Sequence, residues 1–354
     1  MASDWPGPSR EIILIAVMNK RTAYFIRPLV ATLALFAIIA ASVPVGATPA
    51  LWRIEGWNKT DFNQTSIDFS EIHSGGPPKD GIPSIDKPKF VDLDKLTGLG
   101  GTEPVIGLEI NGDARAYPLG ILIWHEIVND VVGGTPVTVT YCPLCNSAVV
   151  FDRRLDGKVL DFGTTGKLRN SDMVMYDRQT ESWWQQFIGT AIVGELNGKE
   201  LKGIPARLES FDNFKARYPG GKVLIPNDEN MRRYGYNPYT GYDSAARPFL
   251  YDGEMPEGIN PMARVVVVKT GGKQQAVTLE LLRKKGEITL GDISLKWKKG
   301  QNSALDASEI SKGRDVGNVV AQRNTANGPK DVVYDVTFAF VFHAFHPKQP
   351  IVKS

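Results

Sequence analysis

The chain holds two cysteines in 354 residues, and they stand together as Cys142-Pro143-Leu144-Cys145. Thr138 to Tyr141 precede them and Asn146 to Asp152 follow, both runs rich in β-branched and apolar residues. That pattern predicts a turn between two strands. Two thiols so spaced on a turn chelate a metal ion or close a small disulfide. A complete metal site needs further ligands, and there is no second Cys-x-x-Cys to supply them. The four histidines are His73, His125, His343 and His346. His125 is the first choice, because its segment leads straight into the strand before Cys142. His346, near the chain end, is second. His343 lies three residues from His346 in what reads as a strand, an odd spacing that puts the two on opposite faces. The expected centre is therefore Cys142, Cys145, His125 and His346 around copper or zinc. Ligand softness alone does not choose between these metals, and an iron–sulfur cluster needs four ligands, usually thiolates. The competing expectation is a thiol–disulfide redox pair. Against it, a thioredoxin-like pair opens a helix, whose N-terminus lowers the thiol pKa.

A second polar concentration runs from Asn170 to Ser182. Asp172, Asp177 and Glu181 are candidate catalytic carboxylates there, with Arg178 beside them. The alternative is a turn network held by local hydrogen bonds, with Arg169 and Asp172 supporting the cysteine hairpin. Two apparent motifs fail. His125-Glu126 lacks the second histidine of a zinc-protease signature, because position 129 is Asn. The run Gly163 to Lys167 has two residues between its glycines, too few for a phosphate loop, and Leu168 follows where Ser or Thr is needed. Trp183, Trp184 and Phe187 read as core or cleft wall. Tyr234, Tyr236, Tyr239 and Tyr242 mark a loop, either a binding surface or an ordered cover across the β-core.

The elements that must position these residues are mostly strands. Val105 to Ile110 runs through Asn111-Gly112, a hairpin turn signal, into Ala114 to Tyr117. Leu119 to Asn129 reads as a short helix, and strands are predicted at 136–141, 147–152, 158–162, 172–176 and 190–194. A second short helix spans Phe211 to Arg217, and 263–354 returns to strands. The predicted fold is β-rich α+β with antiparallel strands and a few short helices. Its divisions are a Gly/Pro-rich segment (48–103), a β-rich domain with the cysteines (104–225), a Tyr-rich loop (226–262) and a second β-rich half (263–354). The halves show a faint repeat. Gly112 falls on Gly272, Ala116 on Ala276 and Leu119 on Leu279. With a gap, Asn146 to Ala148 falls on Asn302 to Ala304, and Cys142 and Cys145 meet Lys298 and Gln301.

Residues 1–47 read as an export signal. Lys20, Arg21 and Arg27 precede an apolar run from Leu29 to Val43, and Val45-Gly46-Ala47 supplies the small residues of a cut site. The run is shorter than the roughly 20 residues of a spanning helix. Met18 makes the better start for such a signal. No cysteine stands near the cut, which excludes a lipid anchor. Four of the 41 basic and two of the 39 acidic residues fall within 1–47, leaving 37 of each. A neutral body argues against nucleic acid as a partner. The expected location is periplasmic or extracellular, where a disulfide is permitted.

Four long stretches, Ser74 to Val91, Ala116 to Val131, Thr140 to Arg153 and Phe162 to Phe187, together with Phe345-His346-Pro347, resemble DUF3179, a family of exported bacterial and archaeal proteins of unknown function. The resemblance covers roughly residues 70–350. Thr164-Thr165 stands where the family usually has Val-Ser, and Trp183 where it has Leu. The resemblance implies no activity, so function has to come from the residues themselves.

Overall fold

Residues 48–354 are described by the computed structural model; the expected export signal lies outside them. The hairpin at Asn111-Gly112 forms as its sequence dictates. Strands Pro104–Ile110 and Asp113–Pro118 pair antiparallel, and both turn residues have positive φ, as a two-residue hairpin twisted to match its strands requires. Helix Leu119–His125 follows, and then an antiparallel meander of Ile127–Val132, Thr135–Cys142 and Ser147–Asp152. The helix is four residues shorter than its sequence suggests. It ends at Glu126, whose backbone turns to φ 59° and starts the next strand.

The second half repeats this order. Strands Arg264–Thr270 and Lys273–Thr278 form a hairpin, and helix Leu279–Lys285 follows. The meander is Glu287–Leu290, Ile293–Lys298 and Asn318–Thr325. The closing elements match as well. In the first half Gly203–Ile204 joins the meander, and Arg207–Ser210 pairs antiparallel with the first hairpin strand. Helix Phe211–Arg217 then leads to Lys222–Ile225, which lies parallel to the second hairpin strand at Ala116. In the second half Gly328–Asp331, Tyr334–Phe338, helix Ala339–Phe345 and Ile351–Val352 do the same, the last parallel at Ala276. Shared strand order makes the faint sequence repeat a structural one. The register holds through Cys142 and Lys298, each ending the middle strand of its meander. It fails at Asn302 to Ala304, because residues 299–317 are a longer loop and the next strand begins at Asn318.

Only the first half carries an insertion. Phe162–Arg169, Asp172–Asp177, Trp183–Gln185 and Thr190–Val193 form an antiparallel sheet, edged by Ile72–Ser74. Trp52, Trp57, Phe62, Tyr176 and Trp183 pack into an aromatic cluster on it. Trp183 and Trp184 are thus core.

The halves interlock. Cys145 O accepts from Phe338 N (3.2 Å) and Thr337 Oγ1 (2.8 Å), and Asn146 Nδ2 donates to Val336 O (2.6 Å). Reciprocally, Ser210 N donates to Asn318 Oδ1 (2.7 Å) and Leu208 N to Tyr334 OH (3.2 Å). One hydrophobic core runs through both, from Tyr117, Leu122 and Val139 to Leu282, Leu295 and Phe338. Among the described residues no helix is long and apolar enough to cross a membrane.

Candidate metal centre

The cysteine turn is built from local chemistry. Pro143 presets the φ of a turn's second residue, Cys145 N donates to Cys142 O (3.2 Å), and Asn146 N donates to Pro143 O (3.1 Å). Asn146 takes a positive φ of 52° to enter the next strand. Facing this turn is the tip of the Phe162–Arg169/Asp172–Asp177 hairpin, where Asn170 and Ser171 both have positive φ. Ser171 O lies 3.5 Å from Cys145 Sγ and 3.9 Å from Cys142 Sγ and accepts from both thiols. Asp172 follows directly.

One ligand atom each of Cys142, Cys145 and Asp172 lies within 4.8 Å of the others, and all three residues are buried. Two atoms bound to one zinc at about 2.3 Å are at most about 4.6 Å apart, so small side-chain shifts suffice to bind an ion. Both cysteines are free. Asp172 Oδ2 accepts from Gln185 Nε2 (2.6 Å) and Phe187 N (3.0 Å), while Oδ1 is buried with no partner. Gln185 is steadied by Arg169 (3.4 Å), and Arg169 by Glu71 (2.8 Å).

Burial dominates the electrostatics. It pushes the Cys142 and Cys145 thiols up, Cys145 well above its ordinary value, with the neighbouring Cys142 adding to the effect. It pushes Asp172 up to about 6 against the hydrogen bonds it accepts. Glu126 is pushed up to about 8, by burial first and then by the charge of Asp172. A pocket that penalises every negative charge in it, and leaves a carboxylate oxygen without a donor, is suited to a cation.

The histidines lie elsewhere. His125 is buried with both ring nitrogens engaged, Nδ1 by Pro83 O (2.7 Å) and Nε2 by Tyr234 OH (2.8 Å). His346 is half-buried against Phe187 and Phe342, in a cavity of about 230 Å³ that Asp335 also lines. Neither belongs to the group of three. His343 lies on helix Ala339–Phe345 and His346 caps it, so three residues apart means neighbouring, not opposite, faces. His73 is 3.7 Å from Asp252.

The polar segment divides. Asp172 joins the cysteines. Asp177 accepts from Thr180 N (2.7 Å), Thr180 Oγ1 (2.9 Å) and Trp184 Nε1 (2.9 Å), so it holds a turn. Glu181 accepts from Lys59 N (3.0 Å) and Lys79 Nζ (2.8 Å), tying that turn to the N-terminal segment. The tyrosine loop lies over the centre. Tyr242 OH donates to Leu144 O (3.2 Å), inside the cysteine turn. Tyr239 is close enough for Glu126 and Cys142 to raise its pKa further, after burial.

The buried Glu126 stands in the sequence only as the second residue of a failed protease motif. In the repeat it falls opposite Gly286.

A β-rich chain of two interlocked repeats, with a buried Cys/Cys/Asp group at their junction, is the class of protein that fold and site define. The chain matches the family model described as "Protein of unknown function (DUF3179)" over residues 79–349, and it belongs to that family. No curated protein and no solved structure matches it.

Proposed function

We propose that this is an extracytoplasmic metal-binding protein whose centre is formed by Cys142, Cys145 and Asp172, with zinc as its metal. The observation that carries this is the convergence of three ligand atoms within 4.8 Å in a buried pocket where Asp172 Oδ1 has no donor. Thiolates and carboxylate oxygen are both zinc ligands, whereas copper(I) favours soft donors throughout. Binding displaces the thiol protons, so the high thiol pKa values make affinity rise with pH. The export signal read in residues 1–47 supports an extracytoplasmic location.

The test is to purify the full chain without a metal-affinity tag and measure bound metal and free thiols on one sample. About one zinc per chain, lost in Cys142→Ser and weakened in Asp172→Asn, supports the proposal. A metal-free chain with both thiols oxidised refutes it and favours the redox pair, for which the short distance between the sulfurs is the supporting observation.

A further inference from the structure

The repeat supplies an internal control on the site. Glu126 and Gly286 occupy the same place in the two halves. Glu126 N donates to Leu122 O (2.7 Å) and Gly286 N to Leu282 O (2.8 Å). Glu126 O accepts from Tyr141 N (2.8 Å) and Gly286 O from Trp297 N (2.9 Å). Their backbones agree too, with φ 59°, ψ −32° at Glu126 and φ 76°, ψ −40° at Gly286. This positive-φ conformation suits glycine and strains a residue with a Cβ. The second half follows that preference, and the first overrides it.

It overrides it with an ionisable group that gains nothing from its surroundings. Glu126 is 9% exposed, and among the described residues its carboxyl has no hydrogen-bond partner. Such a group weakens a fold. The Glu126 backbone pairs with Tyr141, the residue before Cys142, which sets it beside the cysteine turn. Glu126, Asn146, Asn170 and Ser171, four non-glycine residues of positive φ, all lie on the segments that frame the centre. Such strain gathers where function holds it. On the Tyr239 side is a cavity of about 220 Å³, also lined by Ile82, Ile123, Trp124, Arg232 and Pro238.

We infer that Glu126 is the fourth donor of this centre, kept beside the thiols by a backbone turn that the second half gives to glycine. The inference rests on the metal reading above. It completes a set of two thiolates and two carboxylates, which carries the same charge as the four-thiolate sites that hold structural zinc. In the metal-free chain the Glu126 carboxyl stands outside the group of three, so it closes on the ion by side-chain rotation.

Cobalt(II) is the probe, titrated into the metal-free full chain and read by its visible absorption. The expected result is one cobalt per chain, with affinity lower by about tenfold or more in Glu126→Gln and a changed spectrum. Glu126→Gly should weaken binding equally while melting higher than the metal-free parent, because it relieves the turn and removes the buried carboxyl. Gly286 shows that this turn accepts glycine. Unchanged cobalt affinity and spectrum in both variants would overturn Glu126 as a ligand and leave the other three standing. Failure of the parent chain to bind cobalt would overturn this inference together with the metal reading.

Discussion

Asp335 offers the sharpest test of the electrostatics around the centre. It lies on strand Tyr334–Phe338 of the second half and clamps the cysteine hairpin of the first. Its Oδ1 accepts from Ala148 N (2.9 Å) and Val336 N (2.8 Å), and its Oδ2 is buried with no partner. Burial pushes this carboxyl from 3.8 up to about 6, and the charge of Asp172 adds to the rise. A group whose folded pKa is raised contributes stability that is complete below its unfolded value and is lost as pH rises through the folded one. The shift of about two pKa units corresponds to about 3 kcal/mol, about 2 kcal/mol of it lost between pH 4.5 and 7.5. Asp335→Asn keeps an oxygen for the two amides and removes the titration. Urea unfolding of both chains, in chelator to keep them metal-free, should therefore show the variant gaining about 2 kcal/mol relative to the parent over that range. Any constant penalty from the amide shifts the difference without changing its slope. A difference that stays flat with pH would refute the raised carboxyl.

Asp243 is fully buried between Arg264 (3.1 Å) and Arg314 (2.9 Å). Asp243→Ala leaves the Arg264 guanidinium buried and unbalanced, and should cost about 3–5 kcal/mol in urea unfolding. His125→Ala should lower stability by about 1–3 kcal/mol through two lost hydrogen bonds while leaving metal content unchanged. His346→Ala should also keep the metal, and its loss in either variant, measured by elemental analysis, would return that histidine to the centre. Tyr242→Phe removes the bond to Leu144 O and should cost about 1 kcal/mol. The native protein should then react faster with a thiol reagent, and an unchanged labelling rate would show that the tyrosine loop does not shield the cysteines.

What was legible in the sequence was local. Alternation and turn residues reveal the hairpin at Asn111-Gly112 and the strands flanking Cys142 and Cys145, because both are set by neighbours in the chain. Helix Phe211–Arg217 is legible through its Ser210 cap and the Pro219-Gly220 stop. Helix Ala339–Phe345 is not, since its three phenylalanines and a valine favour strands and only packing in the core makes them helical. The thiols were legible by their rarity, but their partners were not. Asp172 reaches them from a hairpin tip that folds back across 26 or more residues, and nothing local to Asn170-Ser171 fixes where that tip lands. His125 was the natural guess on chain proximity. Its ring instead meets Tyr234, 109 residues away, and a Pro83 carbonyl.

The interlocking of the repeats also governs how the molecule comes together. Each half presents its meander to a strand that the other half supplies, Ser147–Asp152 to Tyr334–Phe338 and Asn318–Thr325 to Arg207–Ser210. Neither half can therefore satisfy its own backbone and bury its own apolar face alone. The halves should therefore unfold together, and a chain severed within 226–262 should yield fragments that gain order only on meeting. The cysteine turn is braced by the far half and capped by the inserted hairpin, so its geometry depends on both.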